Sequence, residues 1–583
     1  MKKISLTKAL LILAILIGIF FRVWRITTLP FPPNGDELAF GYYGWSLLHF
    51  GTDEFGNRFP FYFPSIGDYK YPVLAYLNII PTIFFGLSEI TVRFWSVISG
   101  IILIPLVFLL SNLIFKSKKA ALASSYLIAL SPWSLSLSRY GYENNVALSL
   151  STGAIILLLL AFKNNSKKSY LISSLVLFLI SSFTYGTQKV FIPLFLFLLL
   201  ITSVFKNSYF YNFKKIILFF FLSLTIICAV SLIPWQSRGR ASGVLYSNLS
   251  AGEINQLEEL KIEAGISTIH IPVKLTQAFH NKVRIGTLGF LERYVNHFSP
   301  SFLFFQGEAS VERIPLVGQL LLIELLLLPL GFLTILIDPT IRKRVFIILI
   351  WIIAAPIASA LTVGEPHINR ASIMIPPLAL LSGFGFSQIK KWGLPLIILG
   401  FIFSSAFVLN QLFVHKSVHQ PWIREQVNKL MVNDVYNLKD KYQNVVISKT
   451  DNEYMFFLFY KQISPKEFLT NSDITQESQS DQWKRVNRLY NIHFKMPFDC
   501  PKSGKLNVLY ICTGPNIPQN SKILNVIRYL DKVPAYTLLE FIPISKIAST
   551  LPELPEGLDY MVDVEKSPFS PDGIIPDHDT RLW

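Results

Sequence analysis

Long apolar runs separated by short clusters of basic residues constrain this chain more than any other feature. Eleven stretches are apolar and long enough to be read as membrane-crossing helices: roughly 6–26, 91–115, 120–138, 146–162, 169–184, 190–205, 215–234, 315–337, 345–362, 371–388 and 393–413. Lys2-Lys3, Lys116/Lys118/Lys119, Lys163/Lys167/Lys168, Lys206/Lys214/Lys215, Arg342-Lys343-Arg344 and Lys390-Lys391 then all fall on one side of the bilayer. The positive-inside rule makes that side cytoplasmic. An odd number of spans puts the N-terminus inside and the C-terminus outside. Only 15% of the residues are charged, against about 25% in a soluble domain, and mean hydropathy is +0.45, so the chain is a polytopic membrane protein. The net charge of +16 resides largely in the inter-span clusters, which excludes reading it as a nucleic-acid surface.

Met1-Lys2-Lys3 and the apolar run from Leu10 to Phe21 have the outline of a signal peptide, but no small-x-small cleavage site follows. This reads as an uncleaved first helix, with Arg22, Trp24 and Arg25 as interfacial anchors. The outward stretches are 27–90, 131–145, 235–314 and 363–370. Val73 to Ser88 is apolar but contains Pro81 and Gly86, and crossing there would flip every later basic cluster. It is therefore expected to be interfacial or re-entrant. A membrane module over 1–413 gives way to an extracytoplasmic tail, 414–583, of ordinary charge density. The tail reads as a small soluble α/β domain, with Val445-Val446-Ile447 and Leu506 to Ile511 as buried strands and Pro421 to Asn437 as a helix. Cys228 sits in an apolar run as a small hydrophobe. Cys500 and Cys512 either pair or stay reduced, and their spacing does not decide which.

The residues able to carry chemistry lie in the outward stretches. The first holds Asp36-Glu37 and Asp68-Tyr69-Lys70-Tyr71-Pro72; the second holds Arg139 and Glu143; the third holds His297; the last holds His367 and Arg370. Carboxylates, cations and aromatics on one face suit transfer of a sugar from a polyprenyl phosphate. A carboxylate takes the proton of the attacking hydroxyl, cations neutralise the departing lipid phosphate, and aromatic faces carry sugar and prenyl chain. Plainer roles compete. Asp36 can cap a helix starting at Leu38, with Glu37 favoured by the helix dipole. Lys70, Arg93 and Arg370 can snorkel to headgroups, Arg139 and Glu143 can form an i, i+4 pair, and Tyr42, Tyr43 and Trp45 can be interfacial aromatics. His297 and His367 lack a second ligand at metal spacing. Two adjacent acids, Asp36 and Glu37, are too few to argue a divalent ion, and the sequence requires no cofactor. Glu324 lies within the apolar run Leu320 to Leu330, where a carboxylate is costly and is a functional or network residue by default.

Several pieces together resemble the bacterial relatives of the protein O-mannosyltransferase and aminoarabinose transferase families, polyprenyl-phosphate-sugar-dependent glycosyltransferases of the GT-C fold. They are Asn34-Gly35-Asp36-Glu37, Asp68-Tyr69-Lys70-Tyr71-Pro72, Glu89-Ile90-Thr91-Val92-Arg93-Phe94, Ser131-Pro132-Trp133 with Ser138-Arg139, and His297-Phe298-Ser299-Pro300. The resemblance covers the membrane region. It implies a GT-C module of about eleven helices with interfacial helices in the first outer loop, in a bacterial cytoplasmic (inner) membrane. It implies Asp36 as catalytic base, Glu37 assisting or organising, Lys70 on the lipid phosphate, and Arg93 supporting the same loop. In these families the lysine precedes a Pro-Pro pair; here Tyr71-Pro72 follows Lys70. Tyr69, Arg139 and Arg370 join the donor-binding set, and Glu143, His297, Glu324 and His367 the supporting set, by position.

The expected activity is inverting transfer of a sugar from a polyprenyl-phosphate donor to a hydroxyl of a protein, lipid or glycan acceptor at the outer face, among membrane lipids and without nucleic acid. A lipid or sugar transporter or flippase is the alternative, although such proteins carry repeats and polar groups at mid-membrane. A sensor whose tail is the working part is a second.

Overall fold

The computed structural model describes residues 5–29, 32–65, 68–163, 167–205, 210–232, 251–266, 278–308, 313–362, 366–419, 427–448, 453–476, 484–496, 500–513 and 516–542. The membrane part is helical. Its elements include α1 (Leu6–Val23), α2 (Gly35–Phe50), α3 (Pro72–Leu77), α4 (Ile79–Phe85), α5 (Glu89–Phe115), α6 (Lys118–Leu130), α7 (Pro132–Ser138), α8 (Glu143–Lys163), α9 (Lys168–Ser182), α10 (Gln188–Val204) and α11 (Lys214–Val230). There follow α12 (Ala251–Ile266), α13 (Lys282–Asn296), α14 (Glu324–Ile337), α15 (Pro339–Ala354), α16 (Ile357–Ala360), α17 (Ile375–Gln388) and α18 (Leu394–Asn410).

A helix falls within each of the eleven expected spans, but length sorts them differently. Among the described residues five helices are long and apolar enough to cross a bilayer alone, or six if the bent α6–α7 pair is one span. The bend of 52° falls at Ser131-Pro132, where proline supplies no amide hydrogen and the Ser131 hydroxyl accepts from Ser134 N instead. The expected span 315–337 is helical only from Glu324. The Val73–Ser88 stretch forms α3 and α4, which run on through Asn78 as one apolar helix over Pro72–Phe85, shorter than a bilayer span and capped by Gly86 at positive φ.

Arg22 departs from its expected place. It does not snorkel to an interface; it is fully buried, with Nε donating to Ser138 Oγ (3.1 Å), Nη1 to Ala129 O (3.0 Å), and Nη2 to Ile128 O (3.0 Å) and Ser134 Oγ (2.8 Å). The α6–α7 bend frees these carbonyls, and a guanidinium with its fork of donors is the side chain that can satisfy them together.

The tail is an α/β domain, with α19 (Asn428–Leu438), α20 (Glu453–Tyr460) and α21 (Pro465–Asn471) against a sheet. The expected helix Pro421–Asn437 is observed from Asn428; residues 420–426 lie outside the described residues. A short hairpin in the first loop, β1 (Phe63–Ser65) and β2 (Asp68–Lys70), precedes the tail strands β3 (Asn444–Ser448), β4 (Ser472–Gln476), β5 (Lys484–Leu489), β6 (Ile492–Met496), β7 (Val508–Cys512), β8 (Ser521–Arg528) and β9 (Pro534–Phe541). Among the described residues the tail sheet runs β4-β5-β6-β3-β7-β9-β8, with β3 parallel to both β6 and β7 and the other pairs antiparallel. The two strands read from sequence, β3 and β7, are neighbours at its centre. Burial on both faces there explains their unbroken apolar runs. Cys500 and Cys512 are disulfide-bonded, with Cα atoms 5.3 Å apart.

The tail does not hang free of the membrane module. α2 is buried along most of its length because it sits between two packed bodies, and it contributes to one apolar core with α20 and strands of the tail sheet. The Tyr42 hydroxyl donates to Ile463 O at 2.8 Å. A Cβ at Gly41 would lie 2.6 Å from Val92 Cγ2 and 3.0 Å from Phe459 Cε2, so glycine at this position lets α5 and α20 close on opposite sides of α2.

Candidate active site

The acidic pair sits at the first turn of α2, and the two acids are used differently. Asn34, not Asp36, is the N-cap: its Oδ1 accepts from Glu37 N (3.0 Å), and Asn34 N donates to Glu37 Oε2 (3.1 Å), a reciprocal capping box. The cap expected at Asp36 is thereby reassigned. The helix starts at Gly35 because asparagine two residues before Asp36 has the reach to the third amide.

Glu37 is enclosed at 1% side-chain exposure and binds on three sides. Besides the cap, its Oε1 accepts from Arg93 Nε at 3.1 Å and from Gly141 N at 2.7 Å. Arg93, equally buried, also donates from Nη1 to Ile26 O at 2.6 Å and stands 5.8 Å from the Tyr140 ring. A Cβ on Gly141 would come 2.6 Å from Val92 O, so only glycine lets this amide reach Glu37. One carboxylate thus ties α2, α5 and the 139–142 turn together. All its lone-pair directions face donors, which suits a structural anchor.

Asp36 points the other way. Its side chain is 53% exposed, and Oδ1 lies 2.9 Å from Lys70 Nζ, whose own side chain is 6% exposed. Lys70 ends β2, whose pairing with β1 sets Lys70 opposite Phe63, and its ammonium stands 5.3 Å from the Phe40 ring on α2. Tyr69 beside it is buried, which pushes its hydroxyl up to about 12. Asn34 Nδ2 donates to the Tyr142 hydroxyl (2.6 Å), and Tyr140 and Tyr142 stack at 5.9 Å. An accessible carboxylate, a cation and aromatic faces are therefore assembled from α2, β2 and the turn before α8.

The remaining expected residues take separate places. Arg139 is buried, and its guanidinium donates to carbonyls: Nη1 to Phe21 O (2.6 Å) and Arg22 O (3.2 Å), Nη2 to Trp24 O (2.9 Å) and Leu29 O (2.8 Å). It closes the C-terminal end of α1, so neither a phosphate contact nor the i, i+4 pair with Glu143 describes it. Glu143 opens α8 and is buried. Its neighbour Asn144 donates from Nδ2 to Asn369 Oδ1 (3.0 Å), which brings the 366–370 turn to the start of α8. In that turn Arg370 Nη1 donates to Thr362 Oγ1 (2.8 Å), His367 lies 3.8 Å from Glu308, and Glu308 accepts from Ile368 N. Trp133 Nε1 fastens the same turn through Ile368 O (3.0 Å). His297 is buried with Nδ1 on Arg293 O (2.7 Å), and burial pulls its imidazole down to about 4, so it is neutral. Glu324 is not in mid-helix; it is the first residue of α14 and accepts from Leu321 N (3.0 Å), a reason for a carboxylate at that position. Among the described residues no group of three or more His, Cys, Asp or Glu is gathered to hold a metal ion.

Three charged residues of this region escaped sequence reasoning. Lys189 is buried, its Nζ 4.3 Å from the Tyr71 ring and 5.4 Å from that of Phe183, beside the lysine-bearing hairpin. Its signal was a cation just inside an apolar helix, between two expected spans. Lys416, fully buried, stands 4.9 Å from the Tyr140 ring and donates to Ser136 Oγ (3.3 Å). Glu54 is enclosed below α2, its Oε1 3.5 Å from the Tyr43 hydroxyl; burial and then Asp53 push its carboxyl well above the usual range.

Residues 69–231 match the family described as dolichyl-phosphate-mannose-protein mannosyltransferase. That stretch, a little over a quarter of the chain, holds Lys70, Arg93 and Arg139, while the Asn34–Glu37 and His297–Pro300 motifs lie outside it. Among solved structures the chain is similar to the Archaeoglobus fulgidus oligosaccharyltransferase in complex with zinc and sulfate, at 15% identity over 77% of this chain and 61% of that one, with a TM-score of 0.49. It is also similar to ArnT from Cupriavidus metallidurans, at 10% identity over 78% of this chain and 84% of that one, with TM-scores of 0.46 for the apo state and 0.49 for the complex with undecaprenyl phosphate. The chain thus spans about three-fifths of the length of the archaeal oligosaccharyltransferase. No curated protein sequence matches it.

Proposed function

We propose that this protein is a glycosyltransferase that moves a sugar from a polyprenyl-phosphate donor to an acceptor hydroxyl, with inversion, at the outer face of a bacterial cytoplasmic membrane. The observation that carries the reading is the pairing of Asp36, half open to solvent, with buried Lys70 at 2.9 Å. It is supported by the mannosyltransferase match that begins at Tyr69.

The chemistry follows from that pair. A donor phosphate attracts the Lys70 ammonium, and as the lysine turns to it the Asp36 carboxylate gives up its partner and becomes a better base. The acceptor oxygen attacks the anomeric carbon while its proton passes to Asp36. The bond from that carbon to the phosphate oxygen breaks, and the polyprenyl phosphate leaves with the electron pair, stabilised by Lys70 in a low-dielectric setting. Glu37 and Arg93 fix the helix start that aims Asp36 and take no proton.

Reconstitution with a panel of polyprenyl-phosphate sugars, following release of the lipid phosphate, tests the reading. Release that requires an acceptor and yields a new glycosidic bond supports it. Movement of the lipid or sugar without bond cleavage contradicts it.

A further inference from the structure

A groove of about 250 Å³ opens between α9 and α11. Its walls are Leu171, Ile172 and Leu175 from the first two turns of α9, and Ile216, Phe219 and Phe220 from the first two turns of α11. Lys215 lines it as well. Both helices begin at this end. Lys168 lies one turn before Leu171 and Ile172, so it stands over the same groove. Lys214 opens α11, and the C-terminus of α8, with Lys163, is held near by stacking of Phe162 on Phe213 at 4.4 Å.

Among the described residues these cations meet no acidic partner. The sequence contains no Asp or Glu between Glu143 and Glu253. None of Lys163, Lys167, Lys168, Lys214 and Lys215 forms an ion pair among the described residues. Lys167 and Lys214 instead lie over Tyr170 and Tyr211, at 5.3 and 4.9 Å, and all five side chains are exposed. The first amides of α9 and α11 also lack a side-chain cap, so they add positive potential at the same end. Orientation in the membrane needs only the charges. It does not need an apolar groove running away from them.

We propose that this groove binds a phospholipid with an anionic headgroup, one acyl chain lying between α9 and α11 and the phosphate meeting Lys168, Lys214 and Lys215. A soluble phosphate would leave the apolar walls unused. A zwitterionic lipid would bring a second cation into a cluster that already has no acid. Basic pockets between membrane helices are a recurrent solution for anionic headgroups.

The test uses the full-length protein in lipid nanodiscs with photoactivatable lipids. Phosphatidylglycerol and phosphatidylcholine probes share one diazirine-bearing acyl chain, and crosslinked peptides are mapped. The anionic probe should label 171–175 and 216–220 several-fold more than the zwitterionic probe. K168Q/K214Q/K215Q should remove that preference and K168R/K214R/K215R should keep it. Leu175→Trp, which fills the groove without touching charge, should lower labelling by the anionic probe in protein of unchanged thermal stability. Equal labelling by the two probes, a preference that survives the glutamine variant, or displacement by polyprenyl phosphate but not by phosphatidylglycerol would each overturn the proposal.

Discussion

Lys70 Nζ lies 2.9 Å from Asp36 Oδ1, with the lysine enclosed and the acid half open to solvent. Of the two neighbouring acids, Glu37 is bound on three sides by Arg93, Gly141 and Asn34, whereas Asp36 keeps about half its side chain open to solvent. The adjacent acids therefore stand in different surroundings despite their shared chemistry.

Removing Lys70 should act on the donor. A hydrogen bond to a charged group contributes about 1.5–3 kcal/mol, so Lys70→Ala should raise the KM for the polyprenyl-phosphate sugar about 10–100-fold, with the acceptor KM little changed. Steady-state kinetics at varied donor concentration decide it. Equal effects on both substrates would place Lys70 outside the phosphate site. Lys189, buried against Tyr71, should behave in the same direction, and Lys189→Ala is the companion measurement.

Glu37 and Arg93 should be a stability pair. Breaking a buried pair by removing one partner costs about 3–5 kcal/mol, because the other charge is left stranded. Glu37→Gln and Arg93→Met should each lower the thermal midpoint in detergent, and the double variant should lose clearly less than the sum. Additive losses would mean the two charges do not depend on each other.

Glu54 sets a pH dependence. An unfolded glutamate titrates near 4.3, whereas enclosure and Asp53 hold the folded carboxyl well above that. Above about 4.3 the unfolded state gives up the proton first, so this group's share of stability falls as pH rises toward the folded value. Groups facing it are Tyr43 and Tyr42 on α2, Asp53 in its own loop, Tyr454 on α20 and Lys484 on β5. Glu54→Gln should flatten the loss of thermal stability between pH 5 and pH 8. Parallel slopes for the two proteins would contradict the assignment.

The Cys500–Cys512 bond should stabilise the tail rather than the site. It closes a short loop onto the end of β7, and a loop of this size contributes about 3 kcal/mol in a chain-entropy account. C500S/C512S should lower the tail's unfolding midpoint and increase its hydrogen exchange. Because the tail packs on α2, strong destabilisation should reach the first turn of α2 as well; exchange that stays confined to the tail would show the shared core to be weaker than its burial suggests.

Part of this was legible in the sequence because its signals are local. Apolar runs, and β3 and β7 as unbroken apolar strands, are short-range patterns; Asp36, Glu37, Lys70 and Arg93 stand out by motif resemblance, and their pairings span 34 and 56 residues. What escaped depends on distant neighbours. Arg22 and Arg139 looked like headgroup or phosphate cations, yet each satisfies carbonyls freed at a bend or helix end more than a hundred residues away in sequence. The cap on α2 was assigned two residues late, since Asp36 and Asn34 both suit a helix start and only the reciprocal bond with Glu37 separates them. Glu324 read as mid-helix because the apolar run continues upstream of α14 although the helix does not. Packing of α2 on the tail left no sequence pattern, because a helix buried on every side has no polar face to betray its orientation.

The central claim is that Asp36 takes the acceptor's proton, and turnover of Asp36→Asn measures it most directly. Full-length protein reconstituted with polyprenyl-phosphate sugar and acceptor should release lipid phosphate at least about 100-fold more slowly in this variant. Its thermal stability and donor binding should stay close to those of the unsubstituted protein, since Glu37 and not Asp36 ties the helix start to α5. Near-normal release by a well-folded Asp36→Asn protein would contradict the account.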